Sequence, residues 1–192
     1  MSYLRELPRD EHNFPLFAGI KAEFGFIPNF FRAQTMRPDL IEAEVRFIDT
    51  MLIKDGALTR KQKEYIFLVC SAANLSTYCL TAHCEIVRML GLEGPEPEQV
   101  AFDHTTANLP LPLKALLNFA RKLNNQQSKV QARDIEVLRT FGFTEEQILE
   151  AVLTVGVTKF ANFVAFGLGA TPDFEPPTTA ARERGAEAVS QA

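Results

Sequence analysis

The chain has 192 residues, 46% hydrophobic and 23% charged, ordinary values for one soluble globular domain with a core of its own. A net charge of −4 gives no support to a nucleic-acid or anionic-membrane surface. Three cysteines are too few, and odd in number, for a disulfide framework and read as reduced intracellular thiols.

The N-terminus mixes charges without an apolar core segment, so it does not read as a secretory signal. The longest apolar stretches, 65–75 and 151–157, are shorter than a membrane span. A cytoplasmic protein with no membrane and no nucleic-acid partner is expected. Sixteen phenylalanines against 3 tyrosines and no tryptophan point to a Phe-packed interior.

In chain order, residues 16–23 form a short helix and 25–29 a turn-like stretch around Gly25 and Pro28. Pro38 opens a helix over 38–53, with Leu40, Ile41, Val45, Ile48, Met51 and Leu52 at helical spacing, and Gly56 stops it. Thr59-Arg-Lys-Gln62 is a capping-box pattern that starts a second long helix, apolar all round from Tyr65 onward and so buried on every side. Asn74-Leu75-Ser76 interrupts it, and Ser76 is a good N-cap for a third helix to about Leu90, closed by Gly91. A loop with Pro95 and Pro97 and a short helix to Phe102 come next, then helices to about Asn124 and over 132–141. Thr144-Glu-Glu-Gln147 repeats the capping-box pattern and opens the last long helix, 145–168.

No alternating strand pattern survives, so the expected fold is an all-α helical bundle. The repeated Thr-x-x-Gln openings hint at two related helical halves. Residues 1–172 read as one helical domain. Residues 173–192, rich in Pro, Ala, Arg and Glu, read as a flexible tail or one ordered by a partner subunit.

The most informative segment runs from Glu64 to His83. Cys79 and His83 are 4 apart on the third helix and share a face. With Ser76 as N-cap, Cys79 lies in the first helical turn, where the helix dipole and free amides stabilise a thiolate and an imidazole can help deprotonate it. A base beside such a thiol is the general recipe for an activated nucleophile. Were the two helices one straight rod, Glu64 and Ser76 would stand about 18 Å apart. A hairpin at 74–76 instead brings Glu64 opposite the His83 turn, giving a Glu64–His83–Cys79 relay. The alternative is that Glu64 simply ends the solvated charged turn from Arg60.

Tyr78 offers a phenol to the same pocket, or an interfacial aromatic. Cys70 and Cys84 read as packing, and His12 and His104 as surface residues. No second ligand pair at zinc spacing and no glycine-rich phosphate loop occurs, so no metal and no cofactor are expected.

Glu64, then Ser76, Cys79 and His83 stand at the spacing Glu-x11-Cys-x2-Cys-x3-His, with serine at the first cysteine. That pattern resembles the alkylhydroperoxidase D-like (AhpD-like) family, which also contains carboxymuconolactone decarboxylases. The segments Phe26-Ile-Pro-Asn-Phe-Phe, Leu90-Gly-Leu and Gly142-Phe-Thr-Glu-Glu-Gln-Ile-Leu-Glu-Ala-Val look like its peroxidase-related branch. The resemblance implies an all-helical fold assembled as a homo-oligomer (dimer, trimer or hexamer). It also implies a thiol peroxidase in which Cys79 attacks a small-molecule hydroperoxide while Glu64 and His83 relay the proton.

Ser76 departs from the pattern, since serine cannot resolve a sulfenic acid as a disulfide. Cys84 points about 140° away from Cys79 on an ideal helix, a poor geometry for a bond. An external thiol reductant would then be the partner that restores Cys79, with Ser76 and Tyr78 as binding residues. Two other readings stand beside this one. The first is a decarboxylase-type lyase using Glu64 and His83 as acid and base on a carboxylated lactone. The second is a non-catalytic oligomeric scaffold or binding module.

Overall fold

The computed structural model describes residues 2–91 and 94–175. Among them there are helices and loops and no strand, an all-α fold. The helices are α1 (Pro15–Phe24), α2 (Asn29–Arg32), α3 (Pro38–Ile48), α4 (Arg60–Ala73), α5 (Thr77–Met89), α6 (Pro97–Asp103), α7 (Leu111–Asn125), α8 (Ala132–Thr140) and α9 (Glu145–Leu168).

Both capping boxes form. Thr59 and Thr144 accept from the amides of Gln62 and Gln147, and each glutamine side chain answers the threonine amide. The helix expected over 38–53 changes character at Asp49, where a wider π-type turn runs to Ile53. That turn brings the consecutive residues Leu52 and Ile53 to the wall of one cavity. The stretch around Pro28, read as a turn, carries the single-turn helix α2 with buried Phe30 and Phe31.

α4 is the central helix, packed by α5, α6, α7 and α9. Residues 63–72 of α4 are all buried, as its apolar sequence predicts. Even Lys63 is enclosed, its ammonium donating to the Lys54 carbonyl at 2.9 Å and standing 3.5 Å from Glu150. Glu150 in turn accepts from the amides of Ala57 and Leu58, tying α9 to the loop before α4.

By length and apolar composition α9 could cross a membrane, which neither apolar stretch singled out in the sequence could do. Some 44% of its most apolar window is buried inside this fold, against the other helices.

Two buried clusters share the interior. One surrounds α4, α6, α7 and α8 and holds Cys70 and Cys84. The other is the Phe-rich one, with Phe14, Phe17, Phe30, Phe31 and Phe67, and it holds Cys79. His104 corrects the expectation of a surface residue: it is 1% exposed, with Nε2 on Asn118 Oδ1 at 2.8 Å. It sits at the C-terminal end of α6, where tertiary packing closes over it. His12 is exposed, as expected.

Candidate active site

The hairpin between α4 and α5 builds the site. α4 ends in a Schellman arrangement, Ser76 N–H to the Ser71 carbonyl at 2.9 Å and Leu75 N–H to Ala72 at 3.0 Å. The left-handed position usually given to glycine is Leu75, with φ of 58° and a side chain 79% exposed. A non-glycine residue held there costs energy that the surrounding structure has to over-determine. The reversal lays α5 back along α4 and brings Glu64 to His83.

Glu64 is fully buried, so the solvated alternative gives way. Its Oε2 meets His83 Nδ1 at 2.6 Å, and Oε1 accepts from Arg60 Nε at 3.3 Å. A carboxylate accepts, so Nδ1 carries the hydrogen, and in the neutral ring Nε2 keeps its lone pair. Phe67, one turn after Glu64 on α4, stacks on the imidazole with centroids 3.7 Å apart and planes at 23°. Carboxylate and ring together fix the histidine from edge and face.

Cys79 is 3% exposed, and it and His83 line the same cavity, which has a volume of about 110 Å³. Its walls are mostly apolar: Phe24, Phe26, Phe31, Phe67, Ile86 and Met89 among others, with no Lys or Arg among the described residues. Ser76 occupies the N-cap position of α5, yet its hydroxyl does not bond to the helix amides. It interacts with the Cys79 thiol instead, as does Asn162 from α9.

Burial is the largest influence on Cys79 and pushes its thiol above the ordinary value, while Ser76 and Asn162 pull it down. The thiolate expected from the helix start is therefore outweighed by desolvation. Cys79 rests as a thiol, and ionisation needs a base at the moment of reaction.

Asn162 escaped the sequence reading. Its signal was an amide on the buried stripe of α9, where Thr158, Ala161 and Ala165 are also enclosed, and a buried amide needs partners. It donates to Ser71 Oγ at 3.1 Å and accepts from Asn74 Nδ2 at 2.8 Å. Asn74 and Asn124 exchange further hydrogen bonds at 2.8 and 3.1 Å, so an amide network braces the hairpin behind the thiol.

The rate of Cys79 alkylation by iodoacetamide, read by mass spectrometry, is expected to keep climbing from pH 7 to 9. Asn162→Leu is expected to slow it about tenfold across that range, because one hydrogen bond to the charged form is lost. Equal rates in the two proteins would remove Asn162 from this account.

Tyr78 faces the cavity, but its phenol is engaged: it donates to Asp173 Oδ2 at 2.6 Å and accepts from the Phe30 amide at 3.0 Å. Asp173 and Phe174, expected to belong to the tail, thus lie against the site and line the cavity. Residues 176–192 of that expected tail lie outside the described residues. Cys70 and Cys84 belong to the other cluster and line no part of the cavity; all three cysteines are free. Burial pushes Cys70 up to about 12, and burial with Glu98 nearby raises Cys84 further.

Solved structures resemble the chain over most of its length. An alkylhydroperoxidase AhpD core protein from Ralstonia eutropha JMP134, an uncharacterized peroxidase-related protein, is 30% identical with a TM-score of 0.77. The match covers 89% of this chain and 87% of that one. An uncharacterized peroxidase-related protein from Silicibacter sp. TM1040 is 24% identical, TM-score 0.80, over 87% of each chain. A cysteine-to-alanine variant of the debrominase Bmp8, in complex with 2,3,4-tribromopyrrole, is 19% identical, TM-score 0.74, over 98% of this chain and all of that one. No family model and no curated protein matches the chain.

Proposed function

The chain belongs to the AhpD-like, peroxidase-related proteins, and from that premise we propose that it reduces organic hydroperoxides at Cys79. The observation that carries this reading is the 2.6 Å Glu64–His83 contact, one helical turn from a cysteine lining the same cavity.

In the proposed step His83 Nε2 takes the thiol proton and the sulfur attacks the terminal oxygen of ROOH. An S–O bond forms as the O–O bond breaks, and His83 returns the proton to the departing alkoxide. Sulfur is oxidised by two electrons to the sulfenic acid, and the hydroperoxide leaves as the alcohol. Glu64 holds the tautomer and stabilises the imidazolium. Ser76 steadies the sulfur, and Tyr78 walls the cavity.

Position 76 carries no thiol, and Cys70 and Cys84 lie off the cavity. An external thiol therefore condenses with the sulfenic acid, releasing water, and a second thiol reduces the mixed disulfide. A reducing cytoplasm would supply such thiols. The apolar lining favours a hydroperoxide with an apolar group, such as cumene hydroperoxide.

One equivalent of cumene hydroperoxide is expected to add a single oxygen to Cys79, and excess thiol to restore it. An unoxidised Cys79 with Cys70 or Cys84 modified instead would sink the proposal. A Cys79→Ser protein that still turns over a carboxylated lactone would replace it with the lyase reading, while debromination of a bromopyrrole without peroxide turnover would point to the chemistry of Bmp8.

We also propose a homo-oligomer built on the outer face of α9, where Leu149, Val152, Leu153, Phe160, Phe163 and Phe166 are exposed. A contiguous apolar stripe of this kind is unusual on a monomer surface. Light scattering is expected to give a multiple of 21.5 kDa, and Phe163→Glu to shift the protein toward monomer. A wild-type mass of one chain would refute the assembly.

A further inference from the structure

The segment after α9, through Asp173 and Phe174, builds one wall of the cavity. Past Gly169 the backbone turns back across α2, and the Phe174 ring meets Phe26 edge-on, centroids 5.6 Å apart at 78°. Both rings line the cavity that holds Cys79. One carboxylate anchors this wall. Asp173 accepts the Tyr78 phenol proton at 2.6 Å and stands 3.2 Å from the Asn29 amide through each oxygen. Asn29 Nδ2 adds a bond to the Thr171 carbonyl at 3.1 Å.

Tyr78 is the residue next to the reacting cysteine and is mostly buried, its ring stacked on Phe30. A single side chain of the C-terminal segment is thus bonded to both the start of α2 and the first turn of α5. Both elements contribute lining residues to the cavity, Phe30 and Phe31 from α2 and Tyr78, Cys79 and His83 from α5.

We propose that the Asp173–Tyr78 pair is a clasp that holds Phe174 against Phe26 as a size-selective wall over Cys79. Asp173 is then a positioning residue that sets which molecules reach the sulfur. With the clasp made, compact apolar groups enter and large rigid ones do not. With it broken, Phe174 loses its anchor one residue away and the wall opens. The connection to substrate choice rests on the peroxidase reading; the wall itself does not.

The test labels Cys79 in the full chain with a small electrophile, N-ethylmaleimide, and a large one, fluorescein-5-maleimide, each rate read by mass spectrometry. Wild type is expected to react far faster with the small reagent. Asp173→Ala removes the bonds to both Tyr78 and the Asn29 amide. One hydrogen bond to a charged group alone is worth about tenfold, so the large-reagent rate is expected to rise by about tenfold or more. The small-reagent rate changes little. Tyr78→Phe, which removes the phenol proton and keeps the ring, is expected to raise the large-reagent rate about tenfold, and Asp173→Asn, which keeps an acceptor oxygen but loses the charge, to fall between wild type and Asp173→Ala.

A large-reagent rate unchanged in Asp173→Ala would overturn the proposal. So would an equal rise with both reagents, which means general loosening. These rates need no hydroperoxide, so a protein without peroxidase turnover still reports on the clasp. An intact clasp without such turnover faults only the chemistry.

Discussion

Exchanging His83 for glutamine is expected to lower turnover of cumene hydroperoxide by about 10²–10⁴-fold, the range a positioned general acid–base supplies. The loss should fall on kcat rather than KM, because the apolar walls that bind the organic group stay in place. The sign of the pH effect comes from Cys79. Burial holds its thiol above the ordinary range, so at pH 7 little thiolate forms without a base. Raising the pH lets hydroxide do what the imidazole did, so the gap between variant and wild type narrows toward pH 9. A gap that is constant with pH would make His83 a packing residue. Glu64→Gln keeps an acceptor oxygen but loses the charge, and about a tenfold loss is expected from one weakened charge-assisted hydrogen bond. Thermal melts on both variants separate chemistry from folding, since His83→Gln leaves a fully buried carboxylate with Arg60 alone.

What the sequence makes legible here is what local chemistry decides. The boxes at Thr59 and Thr144 and the span of α9 depend on side chains three or four residues apart, and they appear where periodicity and caps place them. The hairpin at 74–76 is legible for the same reason, although Leu75 adopts a backbone conformation that no residue pattern announces. The residues that escape are those whose role comes from a distant element. His104 looks like an unpartnered surface histidine until α7 supplies Asn118. Asn162 reaches Cys79 from a helix more than eighty positions downstream. Asp173 and Phe174 read as tail because Pro, Ala and charged residues dominate the chain from there to its end, yet Tyr78 and Phe26 give them a seat. The Glu64–His83–Cys79 constellation lies between these cases: its spacing was local, while its enclosure required the fold. That enclosure reverses the expected direction of the thiol's shift.

Phe67→Ala is expected to cost about 3–5 kcal/mol, the range for truncating a buried phenylalanine. Such a loss is large beside a domain stability of about 5–15 kcal/mol. The ring is 2% exposed, sits in the Phe-rich cluster, and already borders the cavity, so the space it vacates merges with an existing void rather than collapsing. The void left behind is the term that carries such substitutions toward the upper end. Phe67 also presents its face to the His83 imidazole. Removing it leaves the histidine fixed at Nδ1 by Glu64 but free to swing Nε2 about that bond, so kcat should fall together with stability. Phe67→Leu separates the two contributions. Leucine refills most of the volume and should recover most of the stability, read from urea melts, yet it offers no flat surface to the imidazole. If kcat stays low in the leucine variant while the melt recovers, the stack orients the base. If both recover together, Phe67 acts through packing alone, and the orientation of His83 belongs to Glu64.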